Sequence, residues 1–177
     1  MLKIKDRILH GMITGIIAGT PDAIINALEY RAGLTDLKYG QMGANVFLPE
    51  SKINDKRAKV LGILANYTLI GASGTLFTYL LSATGRDKAV IKGIGYGILS
   101  WLAIYGMGAK VGLTVQTKKP LAPLLSFADH VLFGGLLGLI APKIGDDSLF
   151  PDNRQQTGTQ PLIATGEEVL KNNDKNG

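Results

Sequence analysis

Four long apolar segments dominate the pattern of hydrophobic and polar positions along the chain. They cover residues 8–28, 60–82, 90–109 and 121–140, and most charged side chains lie outside them. At about 1.5 Å per residue, a helix of about 20 residues crosses a hydrocarbon core of about 30 Å. The pattern therefore predicts an all-α polytopic membrane protein whose four transmembrane helices form a glycine-rich bundle within residues 1–143.

The first segment carries its small and polar residues on one helical face. These residues fall within about 80° of the helix circumference: Gly11, Gly15, Gly19, Asp22, Asn26 and Glu29. Glycines repeated at this spacing let a neighbouring helix backbone approach closely. A carboxyl in the hydrocarbon core costs about 2.5 to 3.5 kcal/mol and is expected to face protein or a wet cavity. We therefore expect this face to be both a packing surface and a candidate site.

Two other interpretations of the first segment stay open. Pro21 lacks a backbone donor, so the helix is either kinked or divided, with Thr20 as the cap of a second helix. A short apolar run after Lys3, Lys5 and Arg7 is also compatible with a cleaved signal peptide, although no A-x-A cleavage pattern follows it.

The connection over residues 30–58 has two interpretations. The sequence from Thr35 to Pro49 is half apolar, which is typical of a capped helix lying at the membrane interface. Gly33, Gly40 and Gly43 weaken any helix there, so an ordinary loop is the alternative.

The second segment contains no ionisable side chain, and we expect Asn66 to donate a hydrogen bond to another helix. Its small residues lie on two faces, which predicts contacts with two neighbouring helices. The short basic turn at residues 84–88 indicates that the second and third helices are adjacent and antiparallel.

The third and fourth segments repeat the glycine pattern of the first, with Gly93 and Gly97 in one and Gly134 and Gly138 in the other. The fourth also contains Asp129 and His130. If the spans alternate in direction, this pair lies near the polar half of the first helix. The combined intramembrane cluster would then be Asp22, Asn26, Glu29, Asn66, Asp129 and His130. Such a cluster can relay protons or hold a small cation, or it can be an interhelical hydrogen-bond network.

Composition excludes several kinds of chemistry. The chain of 177 residues has no cysteine and two histidines, so thiol catalysis is excluded and neither a thiolate nor a histidine metal site is expected. No phosphate-binding loop or activated nucleophile is present, and we predict a protein that is not an enzyme and has no cofactor. The net charge of +5 suits contact with anionic lipid headgroups, and no nucleic-acid-binding motif is found.

Residues 144–177 are rich in Pro, Gln, Asn and acidic residues, which predicts a polar, mostly disordered tail. The Lys and Arg residues that flank the four segments are nearly balanced between the two sides of the membrane. We expect cytoplasmic termini because the basic segment before a first span often dominates orientation.

Residues 1–143 contain the stretches GMITGIIAG, KGIGYGILSW and SFADHVLFGGLLG and a long connection after the first span. In these features they resemble uncharacterised four-pass bacterial inner-membrane proteins of the YagU-like sort. The resemblance implies a protein of the bacterial cytoplasmic membrane, and it implies no reaction and no catalytic residue.

Two classes of function follow from the sequence. The first is a non-enzymatic structural or assembly component, whose glycine faces make a compact bundle and allow a homo-oligomer in the lipid bilayer. The alternative is a small proton- or cation-coupled transporter or channel component that uses the intramembrane acids and histidine.

Overall fold

The computed structural model describes residues 3–108 and 117–150, and these residues form an all-α fold. Five α-helices follow one another: α1 (Arg7–Arg31), α2 (Tyr39–Asn45), α3 (Lys56–Thr84), α4 (Ala89–Trp101) and α5 (Ala122–Ile144). A π-helical segment, Leu102–Gly108, continues α4. Helices α1, α3, α4 with its extension, and α5 are long and apolar enough to cross a membrane. The predicted fold class is confirmed, and each helix begins and ends within a few residues of its predicted span.

Large apolar side chains cover the outer surface of these four helices. Ile91, Leu99 and Leu124 are each about two-thirds exposed. A water-soluble protein rarely exposes apolar surface continuously over several helices, because each such side chain is more stable away from water. The outer surface is therefore suited to acyl chains, as expected for a multi-pass membrane protein.

Helix α1 is continuous through Pro21. It begins at the cap Asp6, whose carboxylate accepts a hydrogen bond of 2.7 Å from the Leu9 amide, and it ends before Gly33, which has a φ of 72°. The Thr20 hydroxyl donates to the Ile16 carbonyl and caps no second helix. The proline removes one backbone hydrogen bond, but the helix continues through it, and α1 packs on both α3 and α5. The divided-helix interpretation is therefore not observed.

The connection after α1 contains both a helix and loops. Helix α2 has only seven residues and packs on the first half of α3, where Gly40 and Gly43 lie against Gly62. Gly40 and Gly43, two of the three glycines that were expected to weaken a helix here, instead allow this short helix to approach α3. Thr117 and the Lys118 amide donate hydrogen bonds to Asp36, and the Thr117 bond is the main reason that the pKa of Asp36 is lowered.

Glycines set the order of helices in the bundle as α3, α1, α5, α4. Gly11 and Gly15 of α1 meet the α3 backbone at Gly74, and Gly93 and Gly97 of α4 meet the α5 backbone. A Cβ added at Gly74 would lie 2.6 Å from the Cα of Gly15, which is too close for any side chain. The remaining predicted packing residues, Gly19, Gly134 and Gly138, also lie at these two interfaces.

Helices α3 and α4 pack on each other between the turn that joins them and the middle of α3. Tyr96 of α4 lies beside Ser73 and Phe77 of α3, and its hydroxyl is 2.9 Å from both the Ser73 hydroxyl and the Ser73 carbonyl oxygen. Beyond this contact the two helices separate, because α1 and α5 occupy their glycine faces. The predicted adjacency therefore holds from the turn to the middle of α3, and beyond that level the two helices are apart.

The two ends of the described chain meet on the side opposite to α2. Ile4 and Gly145 form an isolated bridge, with 3.0 Å from the Ile4 amide to the Ile144 carbonyl oxygen. Arg86 and Lys3 form ion pairs with Asp147, and they hold the pKa of this exposed carboxyl below its ordinary value. Both ends of the described chain therefore lie on one side of the bundle.

The bundle extends further along the chain than predicted. Residues 144–150 were expected to belong to the polar tail, but α5 continues to Ile144 through Pro142, and Leu149 and Phe150 are 3% and 5% exposed within the core. These two apolar side chains explain the difference, since burying each stabilises the fold by about 2 kcal/mol. The rest of the predicted tail, residues 151–177, lies outside the described residues, as do residues 109–116 of the basic loop before α5.

Replacing Gly93 with Ala tests the α4–α5 contact. A methyl group there would lie against the Gly134 carbonyl oxygen, whereas a methyl group at Gly95, on the same helix, meets nothing within 4 Å. We expect Gly93→Ala to lower the free energy of unfolding by about 1 to 3 kcal/mol, the usual cost of overpacking. Gly95→Ala should leave stability unchanged or raise it slightly, because Ala favours helix. Equal effects of the two changes on unfolding in detergent micelles would contradict this packing.

Candidate functional site

The structure brings Asp22, Asn26 and Asp129 together at the α2 end of the bundle. Asp22 and Asn26 continue the glycine face of α1, and both are largely buried. Asp129 is 4% exposed on the facing side of α5. The alternating direction of the helices places these residues at similar depth. They form the acidic floor of the site described below.

Tyr39, the first residue of α2, links the two helices that form this floor. Its amide donates a hydrogen bond of 2.8 Å to Asn26 Oδ1, and its hydroxyl donates one of 2.6 Å to Asp129 Oδ2. Burial, with the nearby carboxyls of Asp22 and Asp129, raises the pKa of Tyr39. Tyr39 therefore stays protonated and acts as a hydrogen-bond donor.

Asp22 has a carboxyl oxygen without a protein partner. The residue is 7% exposed, and its Oδ1 atom is buried and accepts no hydrogen bond from the described residues. Asp129 and Glu29 are near enough to interact with it electrostatically. A buried carboxyl without a donor is unfavourable unless a proton, water or ligand completes it. Asp22 is thus the least satisfied polar group of the floor.

His130 and Tyr105 surround the acids from α5 and from the π-helical segment. The His130 Nδ1–H donates a hydrogen bond of 2.8 Å to the Ser126 carbonyl oxygen. The other ring nitrogen, Nε2, is therefore the one left to accept a proton or a ligand. The His130 ring lies edge to face with Tyr39 and Tyr105, at centroid distances of 6.2 and 5.9 Å. π-Helical turns recur at functional sites, and here the segment brings Ile104 and Tyr105 to the site.

A cavity of about 550 Å³ opens where α3 and α4 separate. Its walls are the apolar side chains of these two helices, α2 lies across one end, and Asp22 and His130 lie in its floor. Its lining is predominantly apolar with a few polar groups, and its volume falls within the range of about 300 to 1,000 Å³ that is usual for small-molecule sites. The cavity is therefore of a size and character that suit a ligand.

A second, much smaller cavity lies beside the first, towards the membrane surface on the α2 side. Its volume is about 10 Å³, close to the minimum for one water molecule, and Asn26, Glu29 and Thr117 are among its lining residues. Both cavities are lined by Met42 and Tyr105, whose Sδ and hydroxyl are 3.3 Å apart. This pair separates the large cavity from the small one.

The two remaining predicted site residues, Glu29 and Asn66, do not belong to the acidic floor. Glu29 is half-buried and lines only the small cavity. Asn66 of α3 lines the large cavity together with Asp22. No interhelical hydrogen bond from its side chain is observed within residues 3–108 and 117–150, so the expected hydrogen bond stays a prediction.

Sequence reasoning missed the tyrosines of the site and a buried histidine elsewhere. Tyr39 and Tyr105 lie in a short helix and in a π-helical segment, where the spacing of an α-helix gives no signal. His10 is fully buried at the opposite end of the bundle. Its Nε2–H donates to the Ala141 carbonyl oxygen at 3.0 Å and its Nδ1 is 2.9 Å from the Thr78 hydroxyl, so it joins α1, α3 and α5.

Comparison with protein families, with curated proteins and with solved structures found no match for this chain. The resemblance to YagU-like proteins therefore stays a prediction. Within residues 3–108 and 117–150, no three or more His, Asp or Glu side chains are grouped so that they could hold a metal ion. The site must be interpreted from its own geometry.

Two adjacent positions of α4 test whether water reaches the cavity in a bilayer. Ser100 lines the cavity, whereas Leu99 is 66% exposed on the outer surface. Because the chain has no cysteine, single Ser100→Cys and Leu99→Cys variants give unambiguous labelling. In vesicles, a charged thiol reagent should react with Ser100→Cys much faster, since it needs a hydrated thiolate. Equal rates at the two positions would show that the cavity is as dry as the lipid-facing surface.

Proposed function

We propose that the protein is a small proton- or cation-coupled carrier or channel component of the membrane, with Asp22 as the residue that carries the charge. The observation that supports this proposal best is the buried, unpartnered Asp22 carboxyl in the floor of an intramembrane cavity. Ionisable groups within membrane spans are costly, and they commonly mark ion or proton pathways. A carboxyl that served only helix packing would be expected to have its hydrogen-bonding partners.

A purely structural or assembly role is less well supported by the packing. The glycine faces that were expected to make a compact bundle and allow a homo-oligomer are used within this chain, at the α1–α3 and α4–α5 interfaces. Gly95 of α4 and Gly106 of the π-helical segment are open to the surroundings, but their spacing makes no GxxxG surface. An assembly role would also leave the cavity and its acidic floor without a purpose.

The positions of the polar groups support a proton route towards the α2 side. From Asp22, the next carboxyls are Asp129 and Glu29, and Glu29 lines the small cavity near the end of α1. The Tyr105–Met42 contact separates the two cavities, and rotation of either side chain would join them. Tyrosine, histidine and carboxyl groups at this spacing can exchange protons through one or two waters.

Reconstituted vesicles test the proposed function. A potassium diffusion potential that is negative inside should drive protons inward through the wild-type protein, as reported by an internal pH dye. We expect this flux to fall to the rate of protein-free vesicles in Asp22→Asn, because the neutral amide cannot bind and release a proton. Asp22→Glu, which keeps the carboxyl, should retain part of it. Wild-type vesicles that move no more protons than empty ones, both under this potential and when a cation gradient is imposed, would refute the proposal, and loss of fold in Asp22→Asn without any wild-type flux would favour a packing role.

We also propose that the membrane is the bacterial cytoplasmic membrane, with the start of α1 and the end of α5 on the cytoplasmic side. The support is the basic segment that precedes the first span and the pairing of Ile4 with Gly145, which puts both ends on one side. Ser51 and Ser148 are both exposed and lie on opposite sides. In intact bacterial cells, an impermeant thiol reagent should label Ser51→Cys and leave Ser148→Cys unlabelled; the reverse labelling would invert the orientation.

A further inference from the structure

We propose that the large cavity binds an organic cation with an apolar body, whose charge lies against Asp22 and whose entry displaces a proton from that carboxyl. This inference rests on the proposed function and adds the class of solute. It follows from the charge of the cavity, the character of its walls and the arrangement of ionisable groups around Asp22.

The charge of the lining favours a cation. Asp22 is the only acidic residue that lines the large cavity, and no lysine or arginine is among the described lining residues. The other ionisable side chains there are Tyr39, Tyr105 and His130. A bound cation would give the free Asp22 Oδ1 the partner that it lacks, whereas an anion would meet a carboxyl and no compensating positive side chain.

The walls favour a solute that is mostly apolar. Leu61, Leu64 and Leu69 of α3 and Ile104 of the π-helical segment all line the cavity. A small hydrated ion such as sodium would have to lose its water without the set of oxygen ligands that such ions require. An organic cation loses little hydration. Its body is stabilised by about 25 cal/mol for each Å² of apolar surface removed from water.

Aromatic rings near the acidic floor add to the attraction for a cation. Tyr39, Tyr105 and Phe133 line the cavity together with Asp22. Aromatic faces attract organic cations by about 0.5 to 2 kcal/mol each, more strongly where water is excluded. A lining that combines three aromatic rings with one carboxyl suits an organic cation better than a neutral solute.

Exchange of the bound cation for a proton follows from the ionisable groups around Asp22. On α1 its neighbour is Glu29, on α5 Asp129 and His130, on α2 Tyr39 and on the π-helical segment Tyr105, while α3 contributes the neutral Asn66. Three acids close together favour a shared proton when the cavity is empty. When the cation enters, the Asp22 carboxyl releases its proton to water and becomes a carboxylate. The positive charge of the cation balances this negative charge, so the net charge of the site is unchanged.

Tetraphenylphosphonium is a suitable probe, because tetraphenylborate has a similar size and shape and the opposite charge. Binding of radiolabelled tetraphenylphosphonium to the purified full chain in detergent can be measured by equilibrium dialysis. We expect saturable binding that tetraphenylborate does not displace. Asp22→Asn should weaken it by at least about thirtyfold, as when one partner of a buried charge pair is removed. Asp22→Glu should retain most of it, and both variants should elute as folded protein in size-exclusion chromatography.

The pH dependence provides a second readout. Because the proton and the probe compete for one carboxyl, affinity should fall with decreasing pH, approaching about tenfold per pH unit where Asp22 is protonated. Proton release on addition of the probe to weakly buffered protein should approach one proton for each bound cation. A pH-independent affinity would contradict the exchange.

The remaining outcomes separate the possible failures. Equal binding of tetraphenylphosphonium to wild type and to Asp22→Asn would show that the probe only partitions into apolar surface, and this would overturn the inference. Co-purified lipid that excess probe does not displace, without probe binding, would assign the cavity to an acyl chain and would also overturn it. Absent probe binding with an Asp22-dependent proton flux would refute the solute class and leave the proposed function standing. Probe binding without any flux would instead refute the carrier.

Discussion

Close backbone contact between glycine-bearing helices is the constraint on which the rest of this structure depends. In a bilayer, helices gain little from hydrophobic attraction, so they associate where their surfaces approach closely. Here two such contacts exist, α1 with α3 and α4 with α5, and α1 joins α5 to connect the two pairs. Because each glycine face is already occupied, α3 and α4 have no equivalent surface left for each other. The cavity is the space that results.

The same constraint explains the position of the acids. Asp22 and Asn26 continue the glycine stripe of α1, so the rotation that brings Gly11 and Gly15 against α3 also turns these polar groups inward. The polar floor is therefore built on the two central helices, and the apolar walls on the two outer ones. Tyr39 completes this arrangement from outside the spans, because its two hydrogen bonds hold α2 over the end of the cavity.

Much of the architecture could be predicted from sequence, because spans and glycine stripes are regular patterns of one helix at a time. The proximity of Asp129 to the polar half of α1 also followed from simple alternation of the spans. Pairing between helices did not follow, since a short turn between α3 and α4 suggested contact along their whole length. Tyr105 was not identifiable, because i→i+5 bonding after Trp101 changes which side chains share a face. The position of Asn66 in the cavity lining did not follow from sequence either, because a polar side chain facing a cavity and one facing a helix have the same sequence pattern.

The contact of Tyr96 with Ser73 lies between the fastened ends of the chain and the cavity. It joins α3 and α4 near the middle of α3, and from there towards α2 the two helices are not in contact. From Ser73 to Leu61 this part of α3 measures about 18 Å, so a tilt of about 10° would move its far end by about 3 Å. A small rearrangement at the joined end would therefore widen the gap most where α2 lies across it, with little disturbance of the glycine contacts on the inner helices.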